Sequence, residues 1–488
     1  MNSLWVVLLI VVTYMAILAA ISFFARRSSR TSESFASGGR VFPSILIGFL
    51  LMSEFIGTSA TLGTAQQAYS VGISAAWNVV ALAIGFVLFS IFLAKKFRSL
   101  GENTISGALA RTYGESVRTA TSVLMICALL IVAVAIYASG GAILSSLLGI
   151  NRAWAIVIVG VLATLYVTVG GMRSVVYTNV LHAILKLAAV VLLAVIGVVR
   201  VGGLGELRAK LPAGSFAYDG VGWAQIFAWL IAGVGAIFAT QYVVQAVATV
   251  RDPGRAQRAG FYSALMLVPF GLFAAVVGMA SAVLYPHIKS IDALPTLAVD
   301  LNPVLTGFVM CGLLGAILGS MAALMIGSST LMLKDFYQPY FNRAGDDRKD
   351  LIFIRVATFA AGVIPISLAL FASNVLAVTF LAKSLRAALA VLVIMMFYKP
   401  GYGSRLGALV SILASVVTTI GWFLAGNPFG VDNAYIAVAT PLVIMTLAQA
   451  AKRAGSSSGH ADTDDVVGRR SRAATAPTPS PRQPEEGR

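Results

Sequence analysis

Long stretches of this sequence are apolar and contain no charged residue, and residues 4–25 form the first of them. The apolar core of a bilayer is roughly 30 Å thick and takes about 20 helical residues to cross, so such stretches are long enough to span it. The chain of 488 residues is 58% hydrophobic and 11% charged, whereas a soluble domain is about 25% charged. We therefore predict an all-α integral membrane protein, and we exclude a soluble enzyme, a disordered protein and a secreted disulfide scaffold.

The lengths of these stretches predict about thirteen transmembrane helices, called spans 1 to 13. Their approximate limits are residues 4–25, 43–70, 73–94, 119–147, 153–170, 175–199, 223–247, 261–285, 303–333, 352–372, 375–398, 405–425 and 432–451. Residues 452–488 are rich in proline, serine and charge, which is typical of a disordered tail. The predicted organisation is a transmembrane domain over residues 1–451 followed by that tail.

Basic residues indicate how the spans are oriented in the membrane. They cluster in the connections that follow odd-numbered spans, whereas the even-numbered connections carry only Arg152, Arg200, Arg208, Lys210 and Lys289. Because cytoplasmic loops are enriched in Lys and Arg, this bias predicts a plasma-membrane protein with its N-terminus outside and its C-terminus in the cytoplasm. It also accounts for the net charge of +16 without a nucleic-acid partner.

The cysteines and histidines of this chain predict no cofactor. Cys127 and Cys311 both lie inside apolar runs, so a disulfide is not expected. His182, His287 and His460 are far apart in the sequence and lack metal-ligand spacing. We therefore expect a protein that is not an enzyme and whose partners are membrane lipid and a small-molecule solute, with a monomer sufficient for function.

Spans 2 and 7 are predicted to be interrupted helices. Span 2 combines Gly57 and Gly63 with many Ser, Thr and Gln residues, and the middle of span 7 contains Gly233 and Gly235. Interrupted helices five spans apart are typical of transporters built from an inverted repeat, here spans 2–6 and 7–11. The alternative for the glycines is close packing between helices.

Several motifs resemble those of the sodium/solute symporter family. They are "GTAQQAYSVG" (63–72), "YVTVGGMRSVVYTNVLHAILK" (166–186), "TQYVVQAVATVRDPGRAQRA" (240–259), "GAILGSMAALMIGSSTLMLKDFY" (315–337) and "MMFYKP" at the end of span 11. The resemblance covers spans 1 to 13 in order. It implies a five-plus-five inverted repeat, alternating access, and uptake of a small solute coupled to sodium.

The resemblance also implies where a sodium ion would bind. By alignment with the family pattern, its ligands are the carbonyls of Ser53, Ile56 and Ala316 and the hydroxyl of Ser320. Another hydroxyl position of the family is Gly319 here, and an aspartate usual in span 6 is Asn179. The loss of these groups is expected to weaken sodium binding.

Lys186 offers an alternative to sodium, because it lies in span 6 beside the expected ion site. Its ammonium group can take the place of the ion, as a lysine does in some transporters of related fold outside this family, and transport is then coupled to protons. A buried lysine shifts its pKa readily, which suits a proton carrier. Glu54 and Asn179 are further candidates for coupling, and snorkelling of Lys186 to an interface is the structural alternative.

Charged residues at membrane depth predict the class of solute. Lys383 and Arg386 lie on one face of span 11, and Arg386 can hold a carboxylate in a bidentate manner. A helix break at Gly233 and Gly235 would expose backbone N–H groups that favour an anion. Trp77 is a candidate for the cavity wall. Glu54 either neutralises a cation or accepts the amino group of a zwitterion.

We therefore predict a symporter that takes up a small organic anion, such as a monocarboxylate, coupled to Na+. The alternatives are a proton-coupled or sodium-independent transporter of a zwitterionic amino acid, and a transporter-like solute sensor.

Overall fold

The computed structural model describes residues 2–26, 31–38, 41–371 and 375–473, and within them the chain is helical apart from turns, loops and one isolated bridge. The helices are α1 (Asn2–Arg26), α2 (Ser32–Ser37), α3 (Ser44–Phe55), α4 (Thr58–Val71), α5 (Trp77–Phe92), α6 (Ala94–Leu100), α7 (Ile105–Tyr113), α8 (Glu115–Leu148), α9 (Arg152–Val201), α10 (Leu204–Lys210), α11 (Trp223–Ala239), α12 (Gln241–Ala248), α13 (Pro253–Leu284), α14 (Ala293–Val299), α15 (Pro303–Leu331), α16 (Gln338–Tyr340), α17 (Asp347–Ala369), α18 (Val375–Tyr398), α19 (Arg405–Leu424) and α20 (Asn433–Ala473). The all-helical membrane architecture is thus confirmed.

The described helices include ten that are long and apolar enough to cross a membrane, or eleven if the bent pair α11 and α12 forms one span. The count differs from thirteen because some predicted spans join or are short. Spans 2 and 3 meet through a short 3₁₀ turn between α4 and α5, while α3 and the first part of α9 are shorter apolar helices. Thirteen spans and an inverted repeat stay predictions.

The interruption predicted in span 2 occurs between α3 and α4. Ile56 (φ −87°, ψ 72°) and Gly57 (φ −85°, ψ −171°) both leave the helical conformation. The last carbonyls of a helix have no partner within it, so the end of α3 presents free carbonyl oxygens inside the protein.

Helix α9 contains both span 5 and span 6, which are separated by a kink at Gly171. The φ of Gly171 is +64°, a left-handed value that favours glycine. A Cβ atom there would lie 2.8 Å from Phe35 of α2. After the kink, the second half of α9 contacts α3 through Asn179 and Lys186 and lies beside Gly319 of α15.

Helix α15 is the central element of the protein, and all its residues from Gly315 to Leu331 are buried. It packs on α9, α1, α8 and α3, while α13 covers α3, α4 and α5. This packing places the free end of α3 between α9 and α15.

The last helix, α20, extends to Ala473, into the region predicted to be a disordered tail. Residues 474–488 lie outside the described residues. The disorder of the tail therefore stays a prediction.

Candidate functional site

The broken end of α3 binds the side chain of Lys186 from α9. The ammonium Nζ donates to Ser53 O at 2.7 Å, to Ser53 Oγ at 2.9 Å and to Ile56 O at 3.0 Å. Lys186 is 2% exposed, so it does not snorkel to an interface. The ammonium group therefore lies against two of the carbonyls that the family resemblance assigned to sodium.

Asn179 supports this lysine from two turns earlier on α9. Ser53 Oγ donates to Asn179 Oδ1 at 2.6 Å, and Asn179 Nδ2 donates to Val175 O at 2.9 Å. The amide is thus oriented with its oxygen toward Ser53, which in turn accepts from Lys186. We call Lys186, Ser53, Ile56 and Asn179 the lysine cage.

Gly319 of α15 leaves the room that the lysine cage needs. A Cβ atom at this position would lie 2.5 Å from Asn179 Oδ1 and 2.9 Å from Ser53 Oγ. Both distances are too short for a real contact, so the missing hydroxyl of the family pattern does not leave an empty space.

The two predicted sodium ligands on α15, Ala316 and Ser320, do not contact the Lys186 ammonium group in the described part of the chain. Ser320 Oγ donates to Glu54 O at 3.0 Å, with a longer contact to Ser53 O at 3.5 Å. Ala316 is fully buried, and within the described residues no hydrogen bond joins its carbonyl to Lys186. Ser320 therefore ties α15 to the broken helix without touching the ammonium group.

Tyr14 of α1 belongs to the surroundings of Lys186 and was not predicted from the sequence. Its hydroxyl is hydrogen-bonded to His182 Nδ1 at 2.5 Å, and His182 lies one helical turn before Lys186 on α9. A tyrosine within an apolar span carries no local signal for this contact. The signal available was His182 itself, a fully buried polar residue.

A small cavity adjoins the lysine cage. It is lined by Glu54, Phe55, Gly57, Val132, Ile136, Tyr242, Ser320, Leu324, Thr379, Lys383 and Arg386. Its volume is about 30 Å³, enough for about two water molecules. The charged residues predicted to contact solute, Glu54, Lys383 and Arg386, thus line one cavity. In this structure the cavity is too small to hold a solute.

The two cations of the cavity are held by neutral groups. Arg386 donates from NH1 to Thr240 Oγ1 at 3.2 Å and Tyr242 OH at 3.5 Å, and from Nε to Ala382 O at 3.0 Å. Lys383 Nζ donates to Asn78 Oδ1 at 3.2 Å and lies 4.6 Å from the centre of the Phe380 ring. Neither cation has a carboxylate within 4.0 Å in the described part of the chain, so both remain able to bind an anion.

The interruption predicted in span 7 is present, but it does not lie at Gly233 and Gly235. Span 7 is broken at Thr240, between α11 and α12, with a bend of 46°. Gly233 packs against Ala81, and a Cβ atom at Gly235 would lie 2.4 Å from that of Ala387. Both glycines therefore serve close helix packing and present no free N–H groups.

Trp77 also lies away from the cavity. It begins α5, and its Nε1 donates to Tyr218 O at 2.8 Å in the loop before α11. Trp77 is not among the residues that line the cavity. Its predicted contact with solute stays a prediction, and in this structure its indole group is bound by the loop before α11.

Comparison with known families identifies the chain. The family model described as "Sodium:solute symporter family" matches residues 35–414. The chain belongs to the sodium:solute symporter family. This match runs from α2 into α19, so it includes the lysine cage and the cavity, and it makes the protein a multi-pass membrane protein.

The sequences of two relatives in Bacillus subtilis (strain 168) align with most of this chain. The High-affinity proline transporter PutP is 24% identical over 434 residues, which cover 83% of this chain and 90% of the relative. The Uncharacterized symporter YwcA is 22% identical over 454 residues, which cover 87% of this chain and 88% of the relative.

Solved structures share the fold of this symporter family member. A Na+-coupled sialic acid symporter, in a substrate-bound outward-open state, matches with a TM-score of 0.79 and 16% identity over 91% of this chain and 97% of that chain. The nucleobase-cation-symport-1 family transporter Mhp1, in a closed conformation with bromovinylhydantoin bound, matches with a TM-score of 0.57 and 16% identity over 84% of this chain and 94% of that chain.

Proposed function

We propose that this protein is a secondary active symporter that takes up a small organic anion, such as a monocarboxylate, by alternating access. Family membership supports transport of a small solute. The cavity beside the broken helix supports an anion, because Lys383 and Arg386 both line it and neither is paired with a carboxylate among the described residues. The planar guanidinium group of Arg386 suits a carboxylate.

The coupling ion in this proposal is a proton carried by Lys186. The observation that carries it is the position of the ammonium group, which donates to three oxygens of the broken helix. An ammonium group has three N–H donors, so the cage uses all of them. A sodium ion at the same carbonyls would have to displace the lysine.

Protonation of Lys186 then acts as ion binding does in a sodium-driven carrier. The charged form joins α9 to the end of α3 through three hydrogen bonds, whereas the neutral amine has one donor fewer and binds these oxygens less strongly. Since Ser320 joins Glu54 O to α15, the protonated cage holds three helices together. A ligand that binds one conformation more tightly shifts the population toward it, and here that ligand is the proton.

Sodium is the second candidate for the coupling ion. The family name and the sodium-coupled sialic acid symporter of similar fold support it. The proline transporter PutP likewise keeps a zwitterionic amino acid as the second candidate for the solute. In the sodium case Lys186 leaves the cage during transport, and Ser53, Ile56, Ala316 and Ser320 bind the ion.

The test of the coupling ion is uptake of labelled lactate, pyruvate, acetate and proline into proteoliposomes. Accumulation driven by an inward proton gradient in sodium-free buffer, and collapsed by a protonophore, is expected. Lys186→Met should abolish this accumulation, because it removes the protonated group without removing the volume of the side chain. Lys289→Met, at an exposed loop position, should leave it unchanged.

The opposite result is accumulation that needs a sodium gradient and survives the protonophore, and it would assign coupling to sodium. Binding of a solute without counterflow across the vesicle membrane would instead identify a sensor.

A further inference from the structure

Glu54 is a buried acid whose side chain forms no recorded hydrogen bond or ion pair within the described residues. It lies in the last turn of α3, is 5% exposed and lines the cavity beside Arg386 and Lys383. Its Oε2 atom is buried and accepts no hydrogen bond. Within the described residues its carboxylate also forms no ion pair within 4.0 Å, so the predicted structural ion pair with a neighbouring cation does not form.

An isolated carboxylate in this environment is unfavourable. Burying a polar group without a hydrogen bond costs about 1–3 kcal/mol in proteins, and burying an unpaired charge costs more. The backbone of Glu54 cannot move away to relieve this, because its carbonyl accepts from Ser320 Oγ. The residue is therefore held at the cavity wall with an unused acceptor.

The cavity thus offers two kinds of group to one small ligand. Arg386 and Lys383 are hydrogen-bond donors, whereas the carboxyl group of Glu54 offers an acceptor oxygen. A simple carboxylate uses only the first kind. A ligand that also carries a hydrogen-bond donor uses both and gives Glu54 the partner it lacks.

We infer that Glu54 is a specificity-determining residue that accepts a hydrogen bond from an amino or hydroxyl group next to the carboxylate of the solute. The substrate class is then 2-amino or 2-hydroxy acids rather than unsubstituted acids. This inference rests on the proposed function, since it assumes that Arg386 and Lys383 bind the carboxylate.

Glu54 also lies between the solute and the lysine cage. Ser53, the preceding residue, accepts two hydrogen bonds from Lys186, and Ser320 contacts Glu54 O while lining the cavity. A solute bound to the Glu54 carboxylate is therefore one residue away from the oxygens that hold the ammonium group. Binding of the correct solute is transmitted to the cage through this short segment.

The experiment compares three acids of equal carbon number in a counterflow assay: propionate, lactate and alanine. Propionate has no donor beside its carboxylate, lactate has a hydroxyl and alanine has an ammonium. The wild-type protein should exchange lactate or alanine with an affinity about 10–100-fold higher than that for propionate, the factor for one hydrogen bond to a charged group.

Two substitutions separate the two donors. Glu54→Met removes the acceptor and should lower the affinity for the preferred acid to that for propionate. Glu54→Gln keeps a neutral acceptor, so it should affect lactate little but alanine strongly. An unfolding temperature in detergent close to that of the wild-type protein checks that both variants fold. Glu206→Gln, a half-exposed acid in α10, is the matched control.

Equal exchange of all three acids by the wild-type protein and by both variants would overturn the role of Glu54 while leaving the proposed function intact. A second result would also overturn this role: unchanged affinities of Glu54→Gln together with loss of its proton-driven accumulation. Glu54 would then carry a proton and would not bind the solute. If none of the acids were exchanged, the proposed function and this inference would both fail.

Discussion

At the scale of single residues, Lys186 presents three N–H bonds to three oxygens, all within 3.0 Å. This match depends on two neighbours that hold no charge. Asn179 orients Ser53 by accepting from its hydroxyl, and Gly319 leaves the space that both occupy. The three positions 179, 186 and 319 therefore act as a unit, and a change at one of them affects the others.

Gly319→Ser should reduce transport at least about tenfold on its own, because its Cβ atom overlaps Asn179 Oδ1 and displaces the side chains that hold Lys186. Combined with Asn179→Ala and Lys186→Ala, the same serine has room and lies beside vacated carbonyls. We expect the triple variant to show uptake stimulated by sodium, measured with sodium or potassium gradients of equal size. Sodium stimulation of Gly319→Ser alone would contradict the argument.

How far the sequence predicts this site can be judged residue by residue. Lys186, Glu54, Lys383 and Arg386 were predictable because a charge at membrane depth is rare enough to mark a site. Tyr14 and the close fit of Gly319 were not, because both depend on contacts between residues far apart in the chain.

At the scale of elements, the helix breaks decide what the chain can bind. The break at Ile56 and Gly57 was predictable from the polar residues around it, and it provides the carbonyls for Lys186. A break in span 7 was predicted, but it lies at Thr240, seven and five residues after the two glycines that indicated it. Glycine marks either a break or a close packing contact, and local sequence alone does not distinguish the two.

The kink of α9 gives a prediction at this scale. Gly171→Ala should lower the thermal unfolding temperature in detergent by several degrees, because a left-handed residue with a Cβ atom costs about 1–2 kcal/mol and this Cβ would also meet Phe35. Gly205→Ala, with nothing within 4 Å of its Cβ, is the control and should cause no loss. Equal unfolding temperatures for the two variants would argue against strain at the kink.

At the scale of the whole molecule, three helices meet at Asp335 just after α15, on the side predicted to face the cytoplasm. Its carboxylate is fully buried and accepts from Arg118 Nε at 2.7 Å, as well as from Ser106 and Ser122. Arg118 also lies 3.4 Å from Glu115, whose side chain is 79% exposed. One arginine thus has a buried partner and an exposed partner.

These two partners should differ in their effect on stability. Breaking a buried ion pair typically costs about 3–5 kcal/mol. We expect Asp335→Asn to lower the free energy of unfolding by an amount near the lower end of this range, because Arg118 keeps some access to water. Glu115→Gln should change stability little, as exposed ion pairs contribute little. Thermal unfolding of the two variants in the same detergent measures the difference, and similar shifts would show that Asp335 does not join these helices.

The global architecture was largely predictable, because apolar length and basic loops depend on the bilayer rather than on tertiary contacts. The count of thirteen spans stays a prediction, since a 3₁₀ turn joins α4 to α5 and the halves of α9 meet at a kink.

The covalent attachment of the Lys186 ammonium has a consequence for where such a carrier can work. A free sodium ion must be captured from the medium in every cycle, so a sodium-driven carrier slows as the surroundings become poor in sodium. A cation that belongs to the chain is present at every turnover and needs only to be recharged with a proton. Under the proposed proton coupling, scarcity of sodium would therefore not limit the cell's supply of this solute, and the acidity of its surroundings would set the supply instead.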